Sequence, residues 1–555
     1  MAGNNVCVGL LLFLIVAFTA NAQDRYAVYF KYKPQSSFSL SRPQEFLTQK
    51  AIDRRARERI QADSLDLPVA ERYLDKITAL SRYMLYSSKW MNAAVVVADE
   101  AAVDQMSELP FVEKVELVAH GFLEKTNARV DEKQRIAGNG ETDGKRPKLN
   151  TRELGLADNS YDFQNQLIGI DKMHEEGFTG RGVTVAVFDA GFPGSNTAPA
   201  FAHLFENNQI VGQRDFANPW ASDVFTANQH GTNVLSLIGA NEPSKLVSGA
   251  YDSDFILVIT EEVDTEYRVE EFNWIRAAEY ADSLGADIIS SSLGYWDFDD
   301  PAMNYTLADL DGKTAIITKG AVMASNKGIL VVSAVGNYGS MGESSLLAPA
   351  DADGIISVGS INRSGETSSF SSTGPTGDGR FKPDLVAFGE SPVLIRPNGT
   401  VGSSSGTSFS APQIAALAAG LWQARPQWTL QELRENLFRS ATQSEDPDNL
   451  LGYGVPNFYD ALYGEILSVG DEETLEWKVY PDPLDTDELS IRFGTGLSGT
   501  FELIDLTGKT LVRMEVSRSS VNTPYRVQLA GIQRGLYVIV MQEGANMRRT
   551  KLLRR

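Results

Sequence analysis

The sequence predicts an α/β protein in which a parallel sheet is covered by helices, with a small α+β unit before it and a β-sandwich after it. Three observations carry this prediction. Between about 160 and 465, the apolar runs VTVAVF (183–188), FILVIT (255–260), ADIISSS (286–292), GILVVSA (328–334) and GIISVGS (354–360) alternate with helical stretches. Near-continuous Val/Ile runs between helices indicate a parallel sheet buried on both faces. Ahead of it, residues 24–33 alternate as a strand, 44–62 read as a charged helix, and 93–119 read as strand, helix, strand. From about 470 to the end, short alternating strands are broken by turn signals every ~8–12 residues, the pattern of a small sandwich.

At 555 residues the chain exceeds one ordinary domain. The divisions read as 1–22, 23–125, a polar linker at 126–155, 156–465 and 475–555. The linker is rich in charges and glycine and almost free of bulky apolar residues, which suits proteolytic nicking. The formal net charge of −22 argues against a general nucleic-acid binder, which needs a basic patch.

Residues 1–22 read as a secretory signal peptide, with the apolar run VCVGLLLFLIVAFTA ahead of the small-x-small site Ala20-Asn21-Ala22. The n-region MAGNN departs from the usual pattern in having no Lys or Arg. The run is shorter than the ~20 residues of a spanning helix, and no later stretch comes near that length, so no transmembrane segment is expected. Cys7, the one cysteine, lies inside this signal. Disulfides, cysteine-ligated metals and thiol nucleophiles are therefore excluded from the mature protein.

The stretch GSSSGTSFSAP (402–412) has the composition of a flexible linker. It runs directly into QIAALAAGLWQA, which has helical apolar spacing, and Pro412 fits a first helical turn. A serine there is either an N-cap or a nucleophile beside free backbone N–H groups that can stabilise an oxyanion. A nucleophile needs a base and an orienting acid. Of the four histidines, His120, His174, His203 and His230, the last stands in NQHGTNVLSLIGA, flanked by a glycine that permits close backbone approach. No HExxH or comparable zinc spacing is present. Asp189 ends the strand VTVAVF, and chemistry in parallel sheets sits at the carboxyl ends of strands.

The order Asp189, His230, Ser408 is the subtilisin order. Strand-Asp-x-Gly, His-Gly-Thr-x-Val and Gly-Thr-Ser-x-Ser-Ala-Pro together make residues 160–465 resemble a subtilisin-like (S8) serine peptidase. The resemblance implies a Ser408 nucleophile, a His230 general base and an Asp189 orienting acid in a serine endopeptidase. It also implies an oxyanion-hole role for Asn337 in Ser333-Ala-Val-Gly-Asn337, and substrate-backbone binding by Ser292, Leu293 and Gly294. Phe370-Ser-Ser-Thr-Gly-Pro375 and Lys382-Pro-Asp-Leu-Val386 match the family as structural segments. The departures are Asn233 for the second His of HGTHV, Phe388 for the Pro of Ala-Pro-Gly, and Val335, a larger residue than usual that narrows the specificity pocket.

Residues 23–125 resemble the family's inhibitory propeptide in position and pattern. Residues 475–555 resemble a type IX secretion sorting domain, on Val479-Tyr-Pro-Asp-Pro483, Leu503-Ile-Asp-Leu-Thr-Gly-Lys509, Gly535-Leu-Tyr-Val-Ile-Val540 and the basic end Arg548…Arg555. Asp482 stands where that family usually has asparagine. The implied protein is a zymogen of a Gram-negative bacterium that crosses the periplasm and reaches the surface or medium. Its partners are protein or peptide substrates, its own propeptide as inhibitor, and the type IX machinery. No cofactor is required. The acids Asp297, Asp299, Asp300, Asp309 and Asp311 could hold a structural calcium, as in many relatives, but show no defined ligand spacing and read first as a solvated loop. The alternative reading is a catalytically inactive subtilase-fold surface binding protein.

Overall fold

The computed structural model describes residues 23–34, 38–122 and 160–467, and residues 478–555 except 481–482, 485, 494–496, 519–523 and 545. The signal sequence, the 126–155 linker and Asp482 lie outside the described residues. Two compact units divide between Leu462 and Tyr463.

In the first unit, seven strands form the central sheet in the spatial order Leu385–Phe388, Ile356–Ile361, Leu330–Ala334, Ile288–Ser291, Thr184–Asp189, Asp254–Ile259 and Ile210–Asp215. All neighbours are parallel. The strand Thr184–Asp189 is buried at every position, which explains why its sequence is apolar without alternation. Its carboxyl end lies between those of Ile288–Ser291 and Asp254–Ile259, so segments far apart in the chain converge at one edge. The Ala411–Ala424 helix is buried from Ala411 through Trp422. Its small Ala residues allow close approach to the sheet, and Met173 packs where a Cβ on Gly420 would stand.

Ahead of this sheet, four antiparallel strands take the order Tyr83–Ser88, Ala93–Ala98, Asp24–Phe30, Val112–Ala119. The period of two sorts their side chains between two cores. Val28, Phe30 and Val96 pack with Tyr73, Ile77 and Met106 of the covering helices Glu71–Leu80 and Glu100–Ser107. Ala27, Val95 and Val118 belong to the same core as Phe272, Ile275 and Ala278 of the Val269–Leu284 helix. The charged helix read at 44–62 is shorter, Gln49–Arg57, and Thr48 caps it by accepting from the Ala51 amide. The Glu71–Leu80 helix, with Tyr73, Leu74, Ile77 and Leu80 at helical spacing, was passed over in the sequence reading; the Tyr83–Ser88 strand carries no clear period, and its burial is nearly uniform rather than alternating.

The contact between this unit and the sheet domain is strongly ionic. Arg54 is fully buried and pairs with Asp282; Arg55 takes both oxygens of Asp66 at 2.9 and 3.0 Å and also bonds Asp282 at 2.8 Å. Lys327 closes the network on Asp66 at 3.1 Å. Removing one member of a buried pair strands the other and costs about 3–5 kcal/mol, while the intact pair contributes little net stability. The network therefore specifies how the two parts dock more than how tightly.

In the second unit, two antiparallel sheets face each other. Leu489, Ile491, Tyr525 and Val527 of one sheet share a core with Phe501, Leu503, Ile539 and Met541 of the other. The alternation of Ser498–Ile504, with Gly499, Phe501 and Leu503 buried and Thr500, Glu502 and Ile504 half-buried, is the period seen in the sequence.

Candidate active site

Five chain segments meet at the carboxyl edge of the large sheet. Asp189 is wholly buried at the end of its strand. Its Oδ1 accepts from the Ala190 amide at 2.7 Å. Both its oxygens lie on His230 Nδ1, at 2.9 and 3.0 Å. His230 opens the His230–Gly239 helix. The glycine after it is required by space: a Cβ on Gly231 would stand 2.3 Å from the Gly191 carbonyl and 2.9 Å from Asp189 Cβ. That close approach brings the imidazole onto the carboxylate.

Burial works against the charged form of His230, but the Asp189 carboxylate, by charge and by hydrogen bond, outweighs it, and Glu261 adds to the effect. The net result is a raised pKa. His174 and His203 instead bond backbone carbonyls of Gly249 and Tyr251, and burial lowers both.

Ser408 lies in the short helical turn Thr407–Phe409, just before the Ala411–Ala424 helix. It is not the helix cap; Ser410 holds that position and spends its hydroxyl on the Ala387 carbonyl at 3.2 Å. The Ser408 amide stands in a first helical turn, where no preceding turn accepts it. Its Oγ is 3.3 Å from the Ser292 carbonyl, a long contact, and among the described residues it has no hydrogen bond to His230. Catalytic hydrogen bonds are commonly loose without substrate. Phe409 packs its ring 5.4 Å from the imidazole, which keeps the two segments together.

Asn337 follows the strand Leu330–Ala334. Its Oδ1 accepts from the Thr407 amide at 2.9 Å and the Thr407 hydroxyl at 3.1 Å. An amide N–H can only donate, so this bond fixes which way the side chain faces and leaves Nδ2 as the outward donor. Ser292 ties its own segment to the Thr407–Phe409 turn, its hydroxyl donating to the Ser408 carbonyl at 2.8 Å. Leu293 and Gly294, next along, are half-exposed.

Comparison with known proteins gives the family. A model of the subtilase family matches residues 180–454. Subtilisin of Bacillus pumilus is 30% identical over 272 residues, 49% of this chain and 87% of its own. The chain belongs to the subtilase family. Subtilisin BL of Lederbergia lenta is 30% identical to this subtilase over 284 residues, covering 51% of it and 92% of the relative. Among solved structures, MycP1 from Mycobacterium smegmatis is 23% identical, covering 57% of this subtilase and 89% of itself at a TM-score of 0.43. Residues 25–135 match the peptidase S8 propeptide domain of Bacteroidota, and 478–554 match a secretion system C-terminal sorting domain. This subtilase is a subtilisin-like serine endopeptidase with a propeptide and a sorting tail, and the tail points to secretion or the cell surface. No helix among the described residues is long and apolar enough to cross a membrane.

Several residues of the site escaped the sequence reading. Glu261 follows the strand Asp254–Ile259, beside Asp189's strand, and bonds the Tyr295 hydroxyl at 2.5 Å. Burial, with a smaller push from Asp189, raises its carboxyl to about 7, against the Tyr295 and Thr260 hydroxyls and His230. The rule that singled out Asp189, an acid at a strand's carboxyl end, also fits this glutamate. The acids expected near 297–311 bond both their own loop and distant segments. Asp300 accepts from Ala302 N, Asp309 from Thr306, and Asp311 from Lys313 and Thr314. Asp300 also meets His120 Nε2 at 3.1 Å, Asp299 accepts from the Glu266 amide at 3.0 Å, and Asp297 from the Tyr338 hydroxyl at 3.3 Å. Among the described residues, the carboxylates that converge closely enough to hold a metal ion are Glu261, Glu266 and Glu270, with oxygens within 4.8 Å of one another.

Proposed function

We propose that this subtilase hydrolyses peptide bonds through an acyl-enzyme, with Ser408 as nucleophile, His230 as general base and then acid, and Asp189 holding the imidazole. Ser408 Oγ attacks the scissile carbonyl as His230 Nε2 takes its proton; the proton then passes to the leaving amine, and water releases the acyl group by the reverse path. Asn337 Nδ2 and the Ser408 amide receive the oxyanion. Ser292, Leu293 and Gly294 align the substrate backbone. The observation that carries this reading is the buried Asp189 carboxylate set on His230 Nδ1, which leaves Nε2 as the nitrogen that meets substrate. The protein is made as a zymogen, exported through the periplasm of a Gram-negative cell, and trimmed at the 126–155 linker and before the C-terminal domain.

Intact-mass spectra of the secreted protein, before and after a fluorophosphonate probe, test all of this. One adduct on Ser408 of a chain lacking both ends is expected. An adduct on a chain keeping both flanks would overturn the processing scheme alone. No adduct on folded mature protein would put an inactive peptide-binding protein in place of the enzyme.

The mechanism also fixes a pH dependence. His230 acts as base only when neutral, so activity falls as pH drops through its pKa, which lies above the ordinary 6.5. Ionised Glu261 helps to raise that pKa. Glu261→Gln removes this negative charge, and the acid limb of the kcat/KM profile is expected to move to lower pH. A limb that stays in place would show that Glu261 does not act on His230.

A further inference from the structure

The position of Leu347 bears on which peptides the site takes. In the proposed mechanism the acyl carbonyl lies between Ser408 Oγ and Asn337. The side chain of the residue bearing that carbonyl starts one bond away. It is flanked by the two segments that lead from these groups: Ser292-Leu293-Gly294, whose first carbonyl is 3.3 Å from Ser408 Oγ, and Val335-Gly336-Asn337.

Leu347 stands between those segments. A Cβ on Gly294 would lie 2.7 Å from Leu347 Cβ and 3.2 Å from its Cδ1. A Cβ on Gly336 would lie 2.6 Å from Leu347 Cγ and 2.9 Å from its Cδ1. One isobutyl group therefore touches both glycines. Each glycine owes its lack of a side chain to that contact, and Gly336 also to its φ of +106°.

The leucine is held there by backbone. Its N–H donates to the Val335 carbonyl at 3.0 Å, and its neighbour Ala348 exchanges both hydrogen bonds with Tyr295, at 2.8 and 3.0 Å. Leu347 is half-buried, unlike its fully buried neighbours Leu346 and Ala348. Val335, the residue the sequence suggested would narrow this place, is fully buried with Leu346 and Ala348 in the core.

We propose that Leu347 fills the pocket for the acyl-side residue of the scissile bond, and that this subtilase cleaves after small residues such as alanine, serine or glycine. The inference rests on Ser408 being the nucleophile. A pocket walled by two backbone segments and floored by a pinned leucine accepts a methyl group. It excludes an aromatic ring, because the backbone hydrogen bonds to Val335 and Tyr295 hold the Leu347 main chain, and with it the Cβ, between the two walls.

Peptidyl phosphonates that differ only in the side chain at the phosphorus-bearing residue test this on the mature secreted protein, with adduct formation followed by intact mass. The alanine analogue is expected to react at least about tenfold faster than the phenylalanine analogue, the scale on which hydrophobic pockets discriminate. Leu347→Ala is expected to cut that ratio by about tenfold or reverse it. Equal or faster reaction of the phenylalanine probe with wild type, or an unchanged ratio in the variant, would overturn the proposal. A small fluorophosphonate run in parallel separates the two levels of argument. Its failure to label Ser408 sinks the nucleophile reading, whereas its success with no reaction of any peptidyl probe sinks the pocket alone. If Leu347→Ala does not label with the small probe, the variant is misfolded; Leu347→Val then supplies the shorter side chain, and the wild-type ratio still decides.

Discussion

Ser408→Ala is expected to lose about six orders of magnitude in kcat, the scale seen when one member of such a unit is removed and only binding and oxyanion stabilisation are left. The hydroxyl removed is replaceable in packing terms. Ser408 is 9% exposed, and its Oγ makes only a long contact to the Ser292 carbonyl, so the fold should survive. The variant also reports on processing. If the propeptide is removed by the enzyme's own site, Ser408→Ala accumulates with residues 23–125 still attached, visible in its intact mass. Retained peptidase activity in purified Ser408→Ala protein would sink the assignment of the nucleophile.

Asn337→Ala is expected to lower kcat by about 10²–10³ with KM little changed, the loss known for one oxyanion-hole donor in a subtilisin. The split follows from what the side chain does. Nδ2 meets negative charge that exists only in the transition state, so its loss spares ground-state binding. A second consequence is local. Oδ1 is the acceptor for the Thr407 amide and hydroxyl, and truncation leaves that amide unpaired next to the nucleophile. Asn337→Asp separates the two effects, since it keeps the acceptor and loses the donor. It should fail in turnover as badly as alanine while keeping the thermal stability of wild type. Equal kcat for wild type and Asn337→Ala would remove Asn337 from the oxyanion hole.

The proposed catalytic constellation could be read from the sequence because each part is a local motif. An acid closes an apolar strand at Asp189, a glycine follows His230, and a small-residue run enters a helix at Ser408. Each pattern is contained within about a dozen residues, and the order of the three is diagnostic. The fate of the serine run was not legible in the same way. A cap and a nucleophile share one composition, and only the placement of Ser410 at the cap and Ser408 one turn earlier separates them.

The propeptide strands at 24–30, 93–98 and 112–119 were legible from their apolar period. The Tyr83–Ser88 strand was not, because tertiary contacts supply what its pattern lacks; the Glu71–Leu80 helix had a readable spacing in Tyr73, Leu74, Ile77 and Leu80 that the sequence reading left unused. Ser88 Oγ bonds Glu279 at 2.5 Å and Tyr86 bonds Asn273 at 2.5 Å, both across to the sheet domain. Local propensity cannot anticipate a strand whose polar groups are satisfied by another domain's helix.

The sequence by itself named the side chains proposed to attack, accept a proton and hold an imidazole, and it predicted the parallel sheet that presents them. Only the tertiary structure decided what surrounds them. Glu261 reaches the electrostatic environment of His230 because the strand Asp254–Ile259 lies beside Thr184–Asp189, although the chain runs through Ile210–Asp215 between the two. Leu347 fits between Gly294 and Gly336, and Arg54 finds Asp282 across 228 residues of sequence. The physical reason is common to all three. Motifs are set by covalent neighbours, whereas electrostatics and shape act through space, between residues that only the strand order brings together.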